Sequence, residues 1–197
     1  MKILAFSDLH LARVRAADLM QASAQADLVI GAGDFCNMRQ GLPEAMVLLR
    51  DIKRPFVTVP GNAESADELR DAALDGMTVL HGQSVEIDGV TIFGIGYAIP
   101  VTPFGSWSCD LSEDTAEEML NACGSADILV SHSPPKGVAD ITSAGQSVGS
   151  TSVRAAIERV QPKLMFCGHI HDSWGKSGQI GETQVHNLGP TVNWFEV

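Results

Sequence analysis

The sequence predicts an α/β fold, and three features of the residue pattern carry this prediction. Short runs of β-branched and aliphatic residues alternate with amphipathic segments over residues 2–74. Residues 78–95 then read as short strands separated only by turns, and the last third returns to strands that alternate with loops and a helix. Strands and helices that alternate bury a sheet under helices, so we expect a helix-covered sheet.

The first part of the chain has the element order βαβαβα. The predicted elements are, in turn, 2–6, 11–24, 27–31, 42–52, 55–59 and 65–74. The helices rest on spacings such as Ala45, Leu48 and Ile52, which place apolar side chains on one face. We expect Ser65 to cap the third helix, because two acidic residues follow in its first turn.

Shorter elements follow Gly76, and the first of them read as an antiparallel section with a hairpin turn at Asp88-Gly89. The predicted strands are 78–81, 85–87, 90–95, 127–131, 163–167, 179–185 and 191–197. Helices are predicted over 112–122 and 151–160. Two long loops, 97–110 and 134–149, lie between these elements.

The composition is that of an ordinary globular chain, with 45% hydrophobic and 19% charged residues. No linker-like stretch is present, so one domain over residues 1–197 is expected. No apolar run approaches the ~20 residues of a membrane span, and the first, 3–6, is too short for a secretory signal. The four cysteines lack paired short spacing, which predicts neither a zinc knuckle nor a disulfide framework and favours a cytoplasmic protein.

The charge balance opposes nucleic-acid binding. Acidic residues number 24 against 13 basic ones, which gives a net charge of −11, and there is no lysine–arginine cluster. Proteins that bind DNA or RNA rely on basic clusters to displace counterions, so extended nucleic acid is not an expected partner. Part of the acidity is expected to hold cations. The sequence does not define the oligomeric state.

Three motifs follow the first three predicted strands, where open α/β sheets place their sites. Asp8 and His10, two residues apart in an extended segment, can reach one cation from the same side, although this motif alone is more often a helix cap. Asp34 follows glycines that allow a sharp turn, so it either projects from the strand end or only forms the turn. Asn62 offers a carbonyl oxygen to a cation or belongs to a simple helix-entry turn.

Two histidine motifs follow later strands. His132 comes directly after the strand predicted over 127–131, and His169 and His171 follow the strand over 163–167. Histidines at positions i and i+2 lie on one side of an extended chain, roughly 6–7 Å apart at the backbone, which suits neighbouring cations. Because the strands end together, we expect seven side chains at one sheet edge: Asp8, His10, Asp34, Asn62, His132, His169 and His171.

The ordered set Asp-x-His, Gly-Asp, Gly-Asn, His and Gly-His-x-His resembles the calcineurin-like metallophosphoesterase superfamily over essentially the whole chain. Ser-His-Ser-Pro-Pro at 131–135, Val-Gly-Ser at 148–150 and Cys-Gly-His-Ile-His at 167–171 are similar to a group of predicted phosphoesterases related to bacterial cyclic-nucleotide phosphodiesterases. The resemblance implies a four-layer α/β/β/α sandwich with two mixed β-sheets. It also implies hydrolysis of a small phosphoester, nucleotide-like or other, by a metal-bridging hydroxide, with a phosphodiester as the leading substrate.

The same resemblance implies two divalent cations, for which Mn, Fe, Zn, Co and Ni are all candidates. One is expected on Asp8, His10, Asp34 and His171, and the other on Asn62, His132 and His169, with Asp34 bridging both. Asp34, Asn62 and His132 are expected to serve catalysis as well. Two dications, two carboxylates and one hydroxide leave a formal charge of about +1, which suits an anionic phosphate.

One position departs from the resemblance. Many superfamily members carry a histidine after the Gly-Asn pair, read as a proton donor or transition-state stabiliser, whereas this chain has Ala63. General-acid catalysis typically contributes ~10²–10⁴ in rate, so esters with basic alkoxide leaving groups are expected to react slowly. His81 and His186 lie away from the ligand-bearing strand ends and are expected to be structural or surface residues.

Several alternatives stay open. The aromatic residues Phe104 and Trp107 of loop 97–110 either cover the metals and stack a base or, more simply, pack the loop onto the core. Lys136 either touches a phosphate or is solvated. A phosphomonoesterase is disfavoured by Ala63, whereas a catalytically weak metal-binding scaffold would fit it. The presence of seven side chains that can bind metal argues against the scaffold, because a scaffold has no chemical need for them.

Overall fold

Eleven strands and five α-helices are present in the computed structural model, which describes residues 1–197. The strands are β1 (Lys2–Phe6), β2 (Leu28–Gly31), β3 (Phe56–Thr58), β4 (Met77–Val79), β5 (Gln83–Ile87), β6 (Val90–Ile95), β7 (Ile128–Ser131), β8 (Leu164–Cys167), β9 (Ser177–Ile180), β10 (Thr183–Asn187) and β11 (Asn193–Glu196). The helices are α1 (Arg13–Ser23), α2 (Leu42–Leu49), α3 (Ala66–Asp71), α4 (Glu113–Leu120) and α5 (Thr151–Val160), and a short 3-10 helix covers His171–Ser173. None of the helices has both the length and the apolar composition that crossing a bilayer requires.

The strands form two mixed sheets. One has five strands in the order β11-β1-β2-β3-β4, and the other has six in the order β5-β6-β7-β8-β10-β9. In the first sheet β1 to β4 run parallel and β11 pairs antiparallel with β1. In the second sheet β6, β7, β8 and β10 run parallel, and the edge strands β5 and β9 are antiparallel to their neighbours. The predicted α/β fold with two mixed sheets is confirmed.

Alternation along β1 shows how the layers are stacked. Successive side chains of a strand point to opposite faces. Ile3 lies in an apolar cluster with Phe166 of β8, so this face of the first sheet packs against the second. The next residue, Leu4, lies in a different cluster with Leu19 of α1, and a third cluster joins α4 and α5 to the outer face of the second sheet. The layer order is therefore helix, sheet, sheet, helix, as predicted.

The third helix begins at the predicted cap. The Ser65 hydroxyl accepts the N–H of Glu68 at 3.2 Å, and the Glu68 carboxylate accepts the N–H of Ser65 at 2.8 Å. Such a reciprocal cap is worth about 1 kcal/mol. It fixes the chain direction directly after the turn that carries Asn62.

Three predicted elements differ from the structure. The strand predicted over 78–81 was assigned to the antiparallel section, which is wrong, because β4 follows a helical crossover and pairs parallel with β3. The single strand predicted over 179–185 is a hairpin of β9 and β10, since Gly181 has a left-handed φ of 59° that lets the chain reverse. The helix predicted from residue 11 begins at Arg13, because Leu11 has a left-handed φ of 61°.

Candidate metal centre

The seven side chains that the sequence singles out lie together at one edge of the two sheets. Strand ends of the first sheet supply Asp8 and His10 after β1, Asp34 after β2 and Asn62 after β3, and those of the second supply His132 after β7 and His169 and His171 after β8. Within each sheet these strands are parallel, so their carboxyl ends fall on the same edge.

Asp34 lies between two histidines. Its Oδ2 atom is 3.4 Å from His10 Nε2 and 3.5 Å from His132 Nε2. Beside this group, His171 Nε2 lies 3.6 Å from Asp8 Oδ1, and the rings of His10 and His171 are 5.2 Å apart. One side of the centre therefore consists of two carboxylates and the histidines that face them.

Asn62 forms the other side of the centre. Its Oδ1 atom lies 3.1 Å from His132 Nε2 and 3.0 Å from His169 Nδ1. The Asn62 amide nitrogen donates to the Ser108 hydroxyl at 3.0 Å, which keeps the oxygen turned toward the two histidines. The backbone N–H of His169 donates to Asp8 Oδ1 at 3.0 Å, and this contact closes the seven residues into a ring.

The donor spacing fits metal coordination. Bonds of 2.0–2.1 Å in a tetrahedral arrangement place neighbouring donor atoms roughly 3.3 Å apart. The five nitrogen–oxygen separations around the ring lie between 3.0 and 3.6 Å. His10 Nε2 is buried without a hydrogen-bond partner. Two sets of three residues have ligand atoms that lie within 4.8 Å of one another inside each set. One set is Asp8, His10 and His171, and the other is Asp8, Asp34 and His132. Divalent cations therefore suit the residues present.

The pKa shifts of the ring residues indicate that the site favours a bound positive charge. Burial disfavours the charged forms of His132 and Asp34, but their mutual attraction outweighs burial and raises the pKa of His132 to about 9 while lowering the pKa of Asp34. For Asp8, burial is outweighed by His171 and His132, which lower its pKa. Burial and the His132 charge lower the pKa of His169 to about 4. Two ionised carboxylates thus share a buried site, and a cation would balance them.

Four ring residues have a left-handed backbone conformation. Their φ angles are 52° for Asp8, 44° for His10, 59° for Asp34 and 65° for His169. For residues other than glycine this region costs roughly 1–2 kcal/mol each. Such conformations persist where surrounding contacts fix them, and here they bend the chain sharply after β1, β2 and β8 so that the side chains meet.

Two glycines are required by close approach to the carboxylates. A Cβ atom at Gly61 would collide with the carboxylate of Asp34, and one at Gly168 would collide with that of Asp8. The Gly-Asn and Gly-His pairs in the sequence therefore have a steric reason. The backbone directly before Asn62 and His169 therefore passes close to a carboxylate.

A buried carboxylate missed by the sequence analysis, Glu64, joins the loops that carry Asp34 and Asn62. Its Oε1 atom accepts the N–H groups of Asp34 and Gly61, both at 2.8 Å, and its Oε2 atom accepts the N–H of Phe35 at 3.1 Å. Burial raises the pKa of Glu64 to about 7, and the Asp34 charge adds to this effect. The only signal in the sequence is an acidic residue in the turn after Gly-Asn.

Trp174, also missed by the sequence analysis, holds Asp8 and His171 in place. Its indole N–H donates to Asp8 Oδ2 at 3.0 Å, and its ring lies 4.2 Å from the His171 ring. The Ser7 hydroxyl donates to the same Asp8 oxygen. The second oxygen, Oδ1, is thereby left facing the histidines.

Replacement of Trp174 by phenylalanine tests this orientation. Trp174→Phe retains an aromatic ring beside His171 but removes the N–H that binds Asp8. Loss of an outer partner of a metal ligand typically costs about 10–100-fold in metal affinity, and we expect a loss of this size for Mn²⁺ in equilibrium dialysis. Trp194→Phe, on the edge strand β11, is the matched control. Unchanged affinity in Trp174→Phe would show that the indole does not orient Asp8.

Other residues named in the sequence analysis lie outside the ring. His81 Nδ1 accepts the N–H of Gly96 at 3.1 Å, and the His186 ring packs 4.7 Å from that of Phe195. Both positions are structural. The Lys136 ammonium donates to a carbonyl oxygen within its own loop.

Known proteins with similar sequences and structures identify the family. The calcineurin-like phosphoesterase superfamily domain matches residues 1–195. The UPF0046 protein K07C11.7 of Caenorhabditis elegans is 28% identical over 89% of this chain and 65% of its own length. Human metallophosphoesterase domain-containing protein 1 is 31% identical over 70% of this chain and 41% of its own length, so the chain spans less than two thirds of either relative.

Structural similarity agrees with the sequence match. The crystal structure of TT1561 from Thermus thermophilus is 16% identical and superimposes with a TM-score of 0.75 over 98% of this chain and 97% of that one. At this identity the likeness concerns the fold alone. Together with the family match over nearly all residues, it shows that the chain belongs to the calcineurin-like phosphoesterase superfamily.

Proposed function

We propose that this chain is a phosphodiesterase that works with two divalent cations. The observation that carries the proposal is the set of five side-chain nitrogen–oxygen separations at coordination spacing. The first cation would be held by Asp8, His10, Asp34 and His171, and the second by Asp34, Asn62, His132 and His169. Mn, Fe, Zn, Co and Ni all suit this mixture of imidazole, carboxylate and amide donors.

The charges explain why cations are needed. Two bound dications would lower the pKa of a water molecule at the centre and neutralise charge on the phosphate oxygens. Without them, the ionised Asp8 and Asp34 in a chain of net charge −11 would repel an anionic ester. Asp34 would bridge both positions, since it lies between His10 and His132. The same acidity favours a small, nucleotide-like phosphoester over an extended nucleic acid.

Ala63 supports a substrate that needs little help from a general acid. Its side chain is 1% exposed within the cluster that also contains Phe35 and Leu69, and its N–H donates to Asp34 Oδ1 at 2.8 Å. A methyl group donates no proton to a leaving oxygen. We therefore favour esters whose leaving group departs unaided, with a phosphomonoesterase and a weakly active metal-binding scaffold as the alternatives.

A leaving-group series tests this proposal. Without a general acid at position 63, alkyl diesters lack the rate contribution of about 10²–10⁴ that such an acid supplies, so activated aryl diesters should be hydrolysed much faster than alkyl diesters. A plot of log kcat/KM against leaving-group pKa should therefore have a steep negative slope, measured with metal content determined on the same sample. The chemical step must limit the rate, which a solvent-viscosity control establishes.

Other results would favour the alternatives. A slope near zero would mean that another group donates the proton. Preference for aryl monoesters would support the phosphomonoesterase. Two bound cations without turnover of either class would support the scaffold. Ala63→His is a poor probe, because a larger side chain in this buried position costs about 1–3 kcal/mol through overpacking.

A further inference from the structure

The side chain of Asn62 can serve as a metal ligand in only one of its two orientations. The amide oxygen can bind a cation, whereas the NH₂ group only donates hydrogen bonds. The two ends are nearly equal in size, so the partner at the outer end decides which of them faces inward. That partner is the Ser108 hydroxyl, 3.0 Å from the Asn62 nitrogen. A hydroxyl both donates and accepts, so Ser108 alone would suit either orientation.

The carboxylate of Asp110 removes this ambiguity. Its Oδ1 atom accepts the hydroxyl proton of Ser108, and a serine has only one such proton. Ser108 therefore has only lone pairs to offer to Asn62. The amide of Asn62 consequently turns its N–H outward, and its oxygen lies 3.1 Å from His132 Nε2 and 3.0 Å from His169 Nδ1.

Asp110 is itself held from its other side by Thr102. The Oδ2 atom of Asp110 accepts the backbone N–H of Thr102 at 2.7 Å and the Thr102 hydroxyl at 2.9 Å. The same hydroxyl is farther from the Ser108 oxygen, at 3.3 Å. A backbone N–H can only donate, so the atom that faces it has to be an acceptor. Displacement of the carboxylate from Ser108 would also break the bonds to Thr102.

The loop between β6 and α4, which carries these residues, touches only one half of the candidate centre. The N–H of Cys109 donates to the Asn62 carbonyl oxygen at 2.9 Å. The rings of Phe104 and Trp107 are stacked with centroids 5.7 Å apart, and the Phe104 ring meets that of His169 edge-on at 6.3 Å. The hydrogen bonds and ring contacts from this loop to the candidate ligands thus go to two of the residues proposed for the second cation.

We propose that Asp110 is a positioning residue for the second cation and acts on it through Ser108 and Asn62. The carboxylate takes the serine proton, the serine oxygen takes the amide N–H, and the amide oxygen is held toward the cation position. Hydrogen bonds in series polarise one another, so the same chain increases the negative charge on that oxygen. The inference rests on the proposed function, because that function places a cation on Asn62. It adds the residue that decides which end of Asn62 meets the cation.

Binding of Mn²⁺ to Asp110→Asn tests the proposal without relying on turnover. The Thr102 N–H requires the oxygen of the new amide on its own side, so the NH₂ group faces Ser108 and the serine proton loses its acceptor. Loss of an outer partner of a metal ligand typically costs about 10–100-fold in affinity, and we expect this loss for the second cation only. A titration in which electron paramagnetic resonance measures free Mn²⁺ resolves the two binding steps.

A double-mutant cycle separates positioning from a merely structural role of Asp110. Ser108→Ala removes the hydroxyl through which Asp110 acts, so Asp110→Asn should cost nothing further in that background. Ser108→Thr retains a hydroxyl and should keep most of the affinity. Asp114→Asn, at an exposed position in the first turn of α4, is the matched control and should bind both cations normally. Additive losses in the double variant, equal losses of both cations, or unchanged affinity in Asp110→Asn would overturn the proposal.

The metal-free protein distinguishes a failure of this inference from a failure of the proposed function. The side-chain NH₂ signals of Asn62 in a ¹⁵N–¹H NMR spectrum report on its hydrogen bond to Ser108. They should shift in Asp110→Asn and in Ser108→Ala and stay in place in Asp114→Asn. If the unmodified protein bound no Mn²⁺ while these shifts occurred, the proposed function would fail and the orientation of Asn62 by Asp110 would stand. Unshifted signals in Asp110→Asn would reject that orientation.

Discussion

Asp34→Asn is expected to weaken binding of both cations and to abolish most turnover. The substitution preserves shape but removes the negative charge that lies 3.4 Å from His10 Nε2 and 3.5 Å from His132 Nε2. Loss of an outer partner costs about 10–100-fold in metal affinity, so loss of a ligand shared by two cations should exceed about 100-fold at each position. Elemental analysis after dialysis, with turnover of an aryl diester, measures both effects.

Asp127→Asn is the matched control for this change. Asp127 precedes β7 and therefore lies at the opposite end of that strand from His132. The Asp127→Asn variant should therefore keep its full metal content and activity. Two tightly bound cations and full turnover in Asp34→Asn would reject the bridging role of Asp34.

Glu64→Gln is expected to have the largest effect on stability. The two Glu64 oxygens accept N–H groups from the loops that carry Asp34 and Asn62. The amide NH₂ of glutamine would face backbone N–H groups on one side, and each buried donor left without an acceptor costs about 1–3 kcal/mol. We expect a loss of about 2–5 kcal/mol in the free energy of unfolding, measured with urea, together with weaker metal binding.

Glu68→Gln provides the comparison for Glu64→Gln. Glu68 is a surface carboxylate that is 43% exposed and pairs with Arg39. Exposed ion pairs contribute about 0–1 kcal/mol, and glutamine at this position can still accept the Ser65 N–H of the helix cap, so this variant should lose little stability and retain its metals. If Glu64→Gln were as stable as Glu68→Gln, the buried carboxylate would not be what holds the two loops together.

The strands that carry the candidate ligands are the most predictable part of the chain. All four residues of β2, β7 and β8 are buried, because these strands lie between two layers, and they appear in the sequence as continuous apolar runs. The polar residues that follow them are therefore conspicuous. By contrast, β9 has three exposed residues of four and gives no such pattern, so its hairpin with β10 is not predicted.

The residues that orient the candidate ligands are much less predictable. Glu64, Ser108 and Trp174 contact Asp34, Asn62 and Asp8 across 30, 46 and 166 positions of the sequence. They stand in turns and loops, where no periodicity shows which way a side chain points. A parallel sheet brings strand ends together by topology alone, whereas these contacts depend on the loop conformations.

The left-handed backbone at His10 and His169 has an evolutionary consequence. Glycine is the residue that adopts such φ angles without steric cost, and histidine pays roughly 1–2 kcal/mol at each position, in a fold whose whole stability is of the order of 5–15 kcal/mol. In a lineage that no longer needed the imidazoles, substitution of these histidines by glycine would remove this steric cost and so stabilise the fold. The steric preference at both positions is therefore for glycine, and only a use of the imidazoles opposes it.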